Sequence, residues 1–194
     1  ERLRPLNKYA FSKQLFDIWA LREGLLDIIC GLKYFNVYGP NEYHKGDMRS
    51  VVHKAFGQIG REGKLKLFKS YNKNYADGGQ MRDFIYVKDA VDITLFAYEK
   101  GLKGIYNAGT GKARSFSDLG KAVFKAMGRK ENIEYIEMPE GIRDKYQYFT
   151  EAMMDKLRNA GYTAAPRSLE DGVFDYVSNY LSKGEAFLAS TANP

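Results

Sequence analysis

Residues 27–35, Asp-Ile-Ile-Cys-Gly-Leu-Lys-Tyr-Phe, form a strand-length run that is largely apolar. A strand with no polar face needs cover on both sides, which is the situation of a parallel sheet flanked by helices. The neighbouring sequence supplies such cover. Residues 7–23 place Phe11, Leu15 and Ile18, with Trp19 or Leu21, at helical spacing, and Gly24 ends the pattern. Further strands are expected at 65–69, 83–87, 104–108 and 133–138. Helices are expected at 48–61, 89–100 (opening on Asp89, a residue suited to an N-cap), 116–127, 151–160 and 168–183. Residues 36–46, with Gly39-Pro40-Asn41, and the polar stretch 70–80 read as loops. Alternating helices and strands predict an α/β fold on a parallel sheet with right-handed crossovers.

With 194 residues, of which 44% are hydrophobic, the chain can bury a core without cross-links. The lone Cys30 excludes an internal disulfide and a multi-cysteine zinc site. His44 and His53 have no carboxylate at ligand spacing, so no metal is expected. The longest apolar stretch, 25–32, is interrupted by Asp27 and falls short of a membrane-spanning helix. Residues 1–5 do not read as a signal peptide, and a cytoplasmic address is expected. The balance of 30 Lys+Arg against 24 Asp+Glu gives +6. Acidic residues are interspersed throughout, and the basic stretch Lys64–Lys69 alternates like a strand with one solvated face. Nucleic acid is not an expected partner; an anionic small ligand, needing only one or two aimed cations, is compatible. No G-x-G-x-x-G occurs. Gly109-Thr110-Gly111 follows a strand run but lacks the third glycine and leads into a loop, so it is not a dinucleotide fingerprint. Position 1 is not methionine. The chain is therefore expected to be a fragment or a processed product; the resemblance given below implies a glycine-rich N-terminal half ahead of Glu1.

Four places can carry chemistry. Tyr9 and Lys13, at i and i+4, share a helix face. An ammonium beside a phenol favours phenolate, and such a tyrosine can exchange a proton with a substrate hydroxyl; a solvated helix pair is the competing reading. Asn36 lies where Tyr34-Phe-Asn-Val-Tyr-Gly-Pro40 leaves the carboxyl end of a predicted strand, the place where parallel α/β proteins bind ligands; a plain turn competes. Lys45, in His44-Lys-Gly-Asp-Met48, sits in a loop near the same mouth. It becomes a base when burial or a second cation depresses its ammonium, although loop lysines are ordinarily solvated. Arg82, opening the run to Asp89, can fork onto phosphate oxygens, with a surface Arg82–Asp83 pair as the alternative.

In order, Tyr9-x-x-x-Lys13, the 34–40 segment, Arg82-Asp-Phe-Ile-Tyr-Val-x-Asp89 and Tyr106-Asn-x-Gly-Thr-Gly111 resemble the extended short-chain dehydrogenase/reductase family of nucleotide-sugar epimerases and dehydratases. Leu157-x-x-Ala-Gly-Tyr-x-x-x-Pro166, followed by Ser168-Leu-Glu-Asp-Gly-Val173, is similar to that family's C-terminal end, so the resemblance spans the whole chain. The stretch Phe35–Ser50, with His44-Lys-Gly-x-Met-x-Ser50, is similar to the ADP-heptose 6-epimerase branch. The resemblance implies the C-terminal part of a Rossmann-type sheet from 1–36 and 82–111, and a smaller α/β substrate-binding domain from 37–81 and 112–194. It implies epimerisation at C6 of ADP-D-glycero-D-manno-heptose by transient oxidation and re-reduction with bound NADP. Tyr9 and Lys45 would be the two acid/base groups. Lys13, Val37 and Lys45 would meet the cofactor. Asn36, Asp47, Lys54, Phe68, Lys69, Ser70, Tyr71, Arg82 and Tyr146 would meet the substrate, with Arg82 on its phosphates. The branch has a histidine where ungapped counting places Lys54, and His53 stands one residue away. Asp47 replaces a family serine. The resemblance further implies a homo-oligomer, a pentamer in that branch. The alternatives are another nucleotide-sugar epimerase or dehydratase, or a non-catalytic fragment that binds sugar nucleotides.

Overall fold

In the computed structural model, which describes Pro5, residues 7–143 and residues 145–188, the apolar run at 27–35 splits. Leu25–Asp27 make a 3-10 turn, and strand β1 follows at Cys30–Tyr34; contrary to the covered strand expected, none of its residues is buried, and Ile28 just ahead of it is 71% exposed. Helix α1 (Lys8–Arg22) comes first. Asn7 caps it by accepting the Ala10 N–H (2.8 Å), and Gly24, at φ 67°, turns the chain out of it. Of its side chains only Ala20 is buried; Phe11, Leu15, Phe16, Trp19 and Leu21 are exposed. Strand β1 pairs in parallel with β5 (Gly104–Ala108), Cys30 opposite Gly104 and Tyr34 opposite Ala108. Helix α3 (Val87–Glu99) buries Ala90, Ile93 and Ala97. Ala90 and Ile93 form one core cluster with Tyr106, Ala108, Ile85 and, from the start of helix α6 (Asp155–Asn159), Leu157.

A second, larger core joins the remaining elements. Strands β2 (Asn36–Tyr38) and β4 (Met81–Tyr86) run parallel, with β6 (Ala113–Ser115) antiparallel on the other edge of β4. Strand β3 (Leu65–Phe68) pairs in parallel with β7 (Ile133–Ile136). Helices α2 (Val51–Glu62), α4 (Phe116–Ala126) and α7 (Leu169–Asn179) supply Val52, Ile59, Leu119, Phe124, Val173 and Tyr176 to this core. The helix starts are written locally. Ser115 and Asp118 form a reciprocal capping box for α4, and Ser50 and Ser168 accept N–H groups at the starts of α2 and α7. The α/β class and the parallel pairing are as expected. No helix among the described residues is long and apolar enough to cross a membrane.

The differences from expectation have local causes. Residues 36–38 are strand rather than loop, because Tyr38 buries its ring against Tyr86 (centroids 5.5 Å apart). The helix expected from 48 starts at Val51: Gly46, at φ 54° and ψ −126°, breaks a 3-10 turn over Tyr43–Met48. Asp89 is not the cap of α3. It lies inside the first turn, buried, and accepts the Arg167 N–H (2.9 Å) and the Arg167 guanidinium. The helix expected at 151–160 shrinks to α6, since the Ala152 N–H is drawn to Asp83 instead (3.1 Å). Strand β6 and the one-turn helix α5 (Glu140–Arg143) were not expected.

Gly172 sits where α7 crosses Tyr38 and Tyr86, and a Cβ there would collide with the Tyr38 hydroxyl. Gly172→Ala is expected to destabilise the chain by about 1–3 kcal/mol. Gly60→Ala, with nothing within 4 Å of the added carbon, is expected to stabilise α2 by about 0.5–1 kcal/mol. Urea unfolding of the two variants checks the opposite signs.

Burial pushes the phenols of Tyr38, Tyr86 and Tyr176 above the ordinary tyrosine range, reinforced by Asp89, Asp175 and Glu42 respectively. Unfolded tyrosines lose their protons near pH ~10, whereas the folded ones keep them. Above that pH the unfolded state binds fewer protons, so stability falls as pH rises. Melting temperatures measured from pH 9 to 11.5 should drop progressively; an unchanged melting temperature would contradict the assignment.

Candidate functional site

Arg82 and Asp83 are neighbours on β4, and a strand turns successive side chains to opposite faces. They do not pair. Asp83 is fully buried and accepts four hydrogen bonds: from the Thr110 N–H (2.8 Å) and hydroxyl (2.7 Å), the Gly111 N–H (2.9 Å) and the Ala152 N–H (3.1 Å). The Gly109-Thr110-Gly111 turn therefore directs its N–H groups at a protein carboxylate and not at a ligand phosphate. Gly109 is needed there, since a Cβ would stand 2.9 Å from the carboxylate.

Arg82 faces the other way. Its guanidinium lies between the rings of Phe116 (5.6 Å to the centroid) and Tyr146 (5.5 Å), and Nη1 donates to the Met81 carbonyl (2.7 Å). No carboxylate pairs with it among the described residues, and burial pushes its pKa down. A stacked, partly desolvated guanidinium without a counter-charge is ready to take an anion. It opens onto a cavity of about 600 Å³ lined by Asn7, Ala10, Ile142, Lys145, Tyr146 and Gln147. The first turn of α1 thus borders the Arg82 cavity. Tyr146 is also a wall of a second cavity of about 400 Å³, with Lys54, Gln58, Leu67, Phe68 and Phe116. Phe68 meets Tyr146 edge to face (6.4 Å). Flat, mostly apolar walls of this kind suit an aromatic base. A third, more open depression of about 630 Å³, lined by Lys121, Lys125 and Arg129 among others, contains none of the expected site residues.

The other expected residues are distributed as follows. Lys54 lines the second cavity and donates to the Asp47 carbonyl (2.5 Å), whereas His53 points to Glu185 (2.7 Å). Lys69 and Tyr71 both bond Glu137, Lys69 at 2.6 Å, and Arg143 stacks on the Tyr71 ring (4.1 Å). That hydrogen bond raises the Lys69 ammonium and lowers the Glu137 carboxyl. Ser70 turns inward to its own loop, donating to the Asn72 carbonyl (2.8 Å). Lys45 and Asp47 lie on the exposed 3-10 turn, Asn36 is exposed at the start of β2, and Val37 is half-buried beside it. The Lys13 ammonium is 5.3 Å from the Tyr9 ring centroid, and Tyr9 is 72% exposed. Among the described residues neither group has a carboxylate partner. The structure brings Lys54, Phe68 and Tyr146 together, and Arg82 with Tyr146 and the first turn of α1. It forms no hydrogen bond among Tyr9, Lys45 and Asn36. Sequence reasoning missed Phe116, Gln58 and Glu137, which carry no local signal. Among the described residues no group of three or more potential ligands could hold a metal.

Residues 1–109 match the NAD dependent epimerase/dehydratase family. The chain belongs to that family. It is 61% identical over 188 residues to the ADP-L-glycero-D-manno-heptose-6-epimerase of Nitratidesulfovibrio vulgaris (strain DP4), covering 96% of this chain and 58% of that protein. The crystal structure of the Helicobacter pylori ADP-L-glycero-D-manno-heptose-6-epimerase superposes with a TM-score of 0.75 at 29% identity, over 91% of this chain and 52% of that one. The Thermus thermophilus UDP-glucose 4-epimerase in complex with NAD gives 0.71 at 25% identity, over 94% and 56%. The chain thus spans a little over half the length of these relatives.

Because Glu137 occupies Lys69 just ahead of α5, whose Ile142 lines the Arg82 cavity, Glu137→Gln is expected to tighten binding of inorganic pyrophosphate, with a gain that shrinks as salt is added. Titration calorimetry at two ionic strengths reads both effects.

Proposed function

We propose that this chain holds the substrate and moves the protons in an ADP-heptose 6-epimerase. The observation that carries the reading is Arg82, stacked between Phe116 and Tyr146 with no carboxylate partner among the described residues, at the junction of an aromatic cavity and a polar one. The high identity to the N. vulgaris enzyme supports the choice of sugar nucleotide. In this reading 1–36 and 82–111 belong to the dinucleotide-binding domain, and 37–81 with 112–194 to the substrate domain. Oligomerisation, as a pentamer, and a cytoplasmic setting complete it.

The adenine stacks in the cavity walled by Phe68 and Tyr146, with Lys54 at its rim. Arg82 takes the pyrophosphate, which it neutralises more strongly in its desolvated setting than in water. The heptose then extends towards the first turn of α1. NADP, when bound, supplies hydride exchange at C6. Inverting that carbon requires hydride loss from one face and return to the other, so two proton-transfer groups are needed. Tyr9 serves one face, with Lys13 holding the nicotinamide ribose. Lys45 serves the other. Val37 packs on the nicotinamide, and Asn36, Asp47, Lys69, Ser70 and Tyr71 complete the substrate contacts.

The 194-residue chain alone is expected to bind ADP without turning over ADP-heptose. Arg82→Gln removes a charged donor worth about 1.5–3 kcal/mol, so ADP affinity should fall at least about tenfold. Titration calorimetry measures this, and equal affinity in the two proteins rules the pyrophosphate role out.

A further inference from the structure

The turn that carries Lys45 is thinly held from inside. His44, Lys45, Asp47 and Met48 are all exposed. The inner supports are Glu42, which accepts the Ser50 N–H (2.5 Å) and hydroxyl (2.7 Å), Arg49 donating to the Gly46 carbonyl (2.8 Å), and Lys54 on the Asp47 carbonyl. Gly46 puts a kink between its halves. A turn of this kind does not by itself hold a side chain in one place.

Support also comes from residues 185–188. After the 3-10 turn at Leu181–Lys183, Gly184 (φ 77°) and Glu185 (φ 61°) reverse the chain with two successive left-handed residues. Glutamate rarely adopts that conformation. Its side chain is engaged: Oε1 meets His53 Nε2 at 2.7 Å and Arg49 at 3.8 Å. The reversal lays the next three residues across the Lys45 turn. The Tyr43 hydroxyl donates to the Ala186 carbonyl (2.7 Å), the Phe187 ring stands edge-on to Tyr43 (5.2 Å), and the Leu188 N–H donates to Asn41 Oδ1 (3.1 Å). Tyr43 and Asn41 belong to the turn and its approach, and His53 to the first turn of the helix that follows it. The contacts therefore grip the Lys45 turn at its start and just beyond its end, leaving its crown open.

We infer that residues 185–188 are a strap that positions Lys45, with Glu185, His53 and Tyr43 as its positioning residues. The strap spans the turn at both ends, so its loss changes where the Lys45 ammonium can reach, while the Arg82 cavity, which has no residue of the turn or the strap in its lining, is left as it is. Its effect on proton transfer rests on the role proposed above for Lys45; the strap itself does not.

Two variants of Glu185 test this in the 194-residue chain. Glu185→Ala keeps the backbone cost of the left-handed residue and removes the carboxylate. Glu185→Gln keeps an oxygen that accepts from the His53 ring. Amide hydrogen exchange by mass spectrometry is expected to quicken at least tenfold across 43–48 in Glu185→Ala, with α4 amides unchanged as the internal control for folding. Glu185→Gln should restore slow exchange. The acylation rate of Lys45, read by peptide mass, should follow the same order. Unchanged exchange over 43–48 in Glu185→Ala overturns the strap, as does failure of Glu185→Gln to restore it. Lys45→Ala in the full-length epimerase is the separate arm: undiminished ADP-heptose turnover there removes the proton-transfer role and leaves the strap standing.

Discussion

The four hydrogen bonds accepted by Asp83 tie together β4, the turn at 109–111 and the segment at 150–152, pieces that the sequence keeps far apart. A carboxylate with no exposure costs several kcal/mol unless donors replace its water. Here every donor comes from one of those two segments, so neither can move off β4 without stranding the charge. The 146–150 stretch is laid down in consequence. The Met81 N–H donates to the Tyr148 carbonyl (2.8 Å) and the Thr150 N–H to the Met81 carbonyl (3.3 Å), with Met81 and Phe149 bridged in parallel. That placement sets Tyr146 over Arg82. The stacked guanidinium and the buried carboxylate next to it are thus two sides of one arrangement: Asp83 fixes the wall against which Arg82 stacks.

The charge pattern around the cavities follows from which cations have partners. Lys69 is neutralised by Glu137 and Arg114 by Glu170 and Asp118, all near the surface, where such pairs add little. Arg82 lies deeper and, among the described residues, has aromatic faces in place of a carboxylate. A single cation in that position matters more to a diphosphate than the net charge of +6 spread over the surface.

Much of the scaffold was legible because its signals are local. Gly24, the helix at 116–127 and the alternation at 65–69 each depend on residues within a few positions. The site was legible in part. Arg82 stands out as a candidate anion group by type and by place on a strand, but nothing near it says that Asp83 turns inward to meet donors 27 to 69 residues away. Phe116 and Glu137 were invisible for the same reason: their roles exist only once β4, α4 and the chain after β7 are brought together. Glu185 reads as an ordinary charged residue, and only its backbone angle and its His53 contact mark it out.

Helix α1 poses the sharpest physical demand. Isolated helices of its length are marginal in water, and most helices draw their stability from burying one face. Helix α1 buries only Ala20, and its tie to β1 includes the Lys33–Asp17 ion pair. Proton transfer coupled to hydride transfer needs surroundings that exclude water and hold charges at fixed positions. Tyr9, 72% exposed, has neither among the described residues. The chemistry proposed for it therefore requires an apolar cover over Phe11, Leu15 and their neighbours, and binding of the nucleotide does not. Arg82, Phe68 and Tyr146 stand on β4, β3 and the segment Asp83 pins down, so recognition and turnover have separate structural requirements.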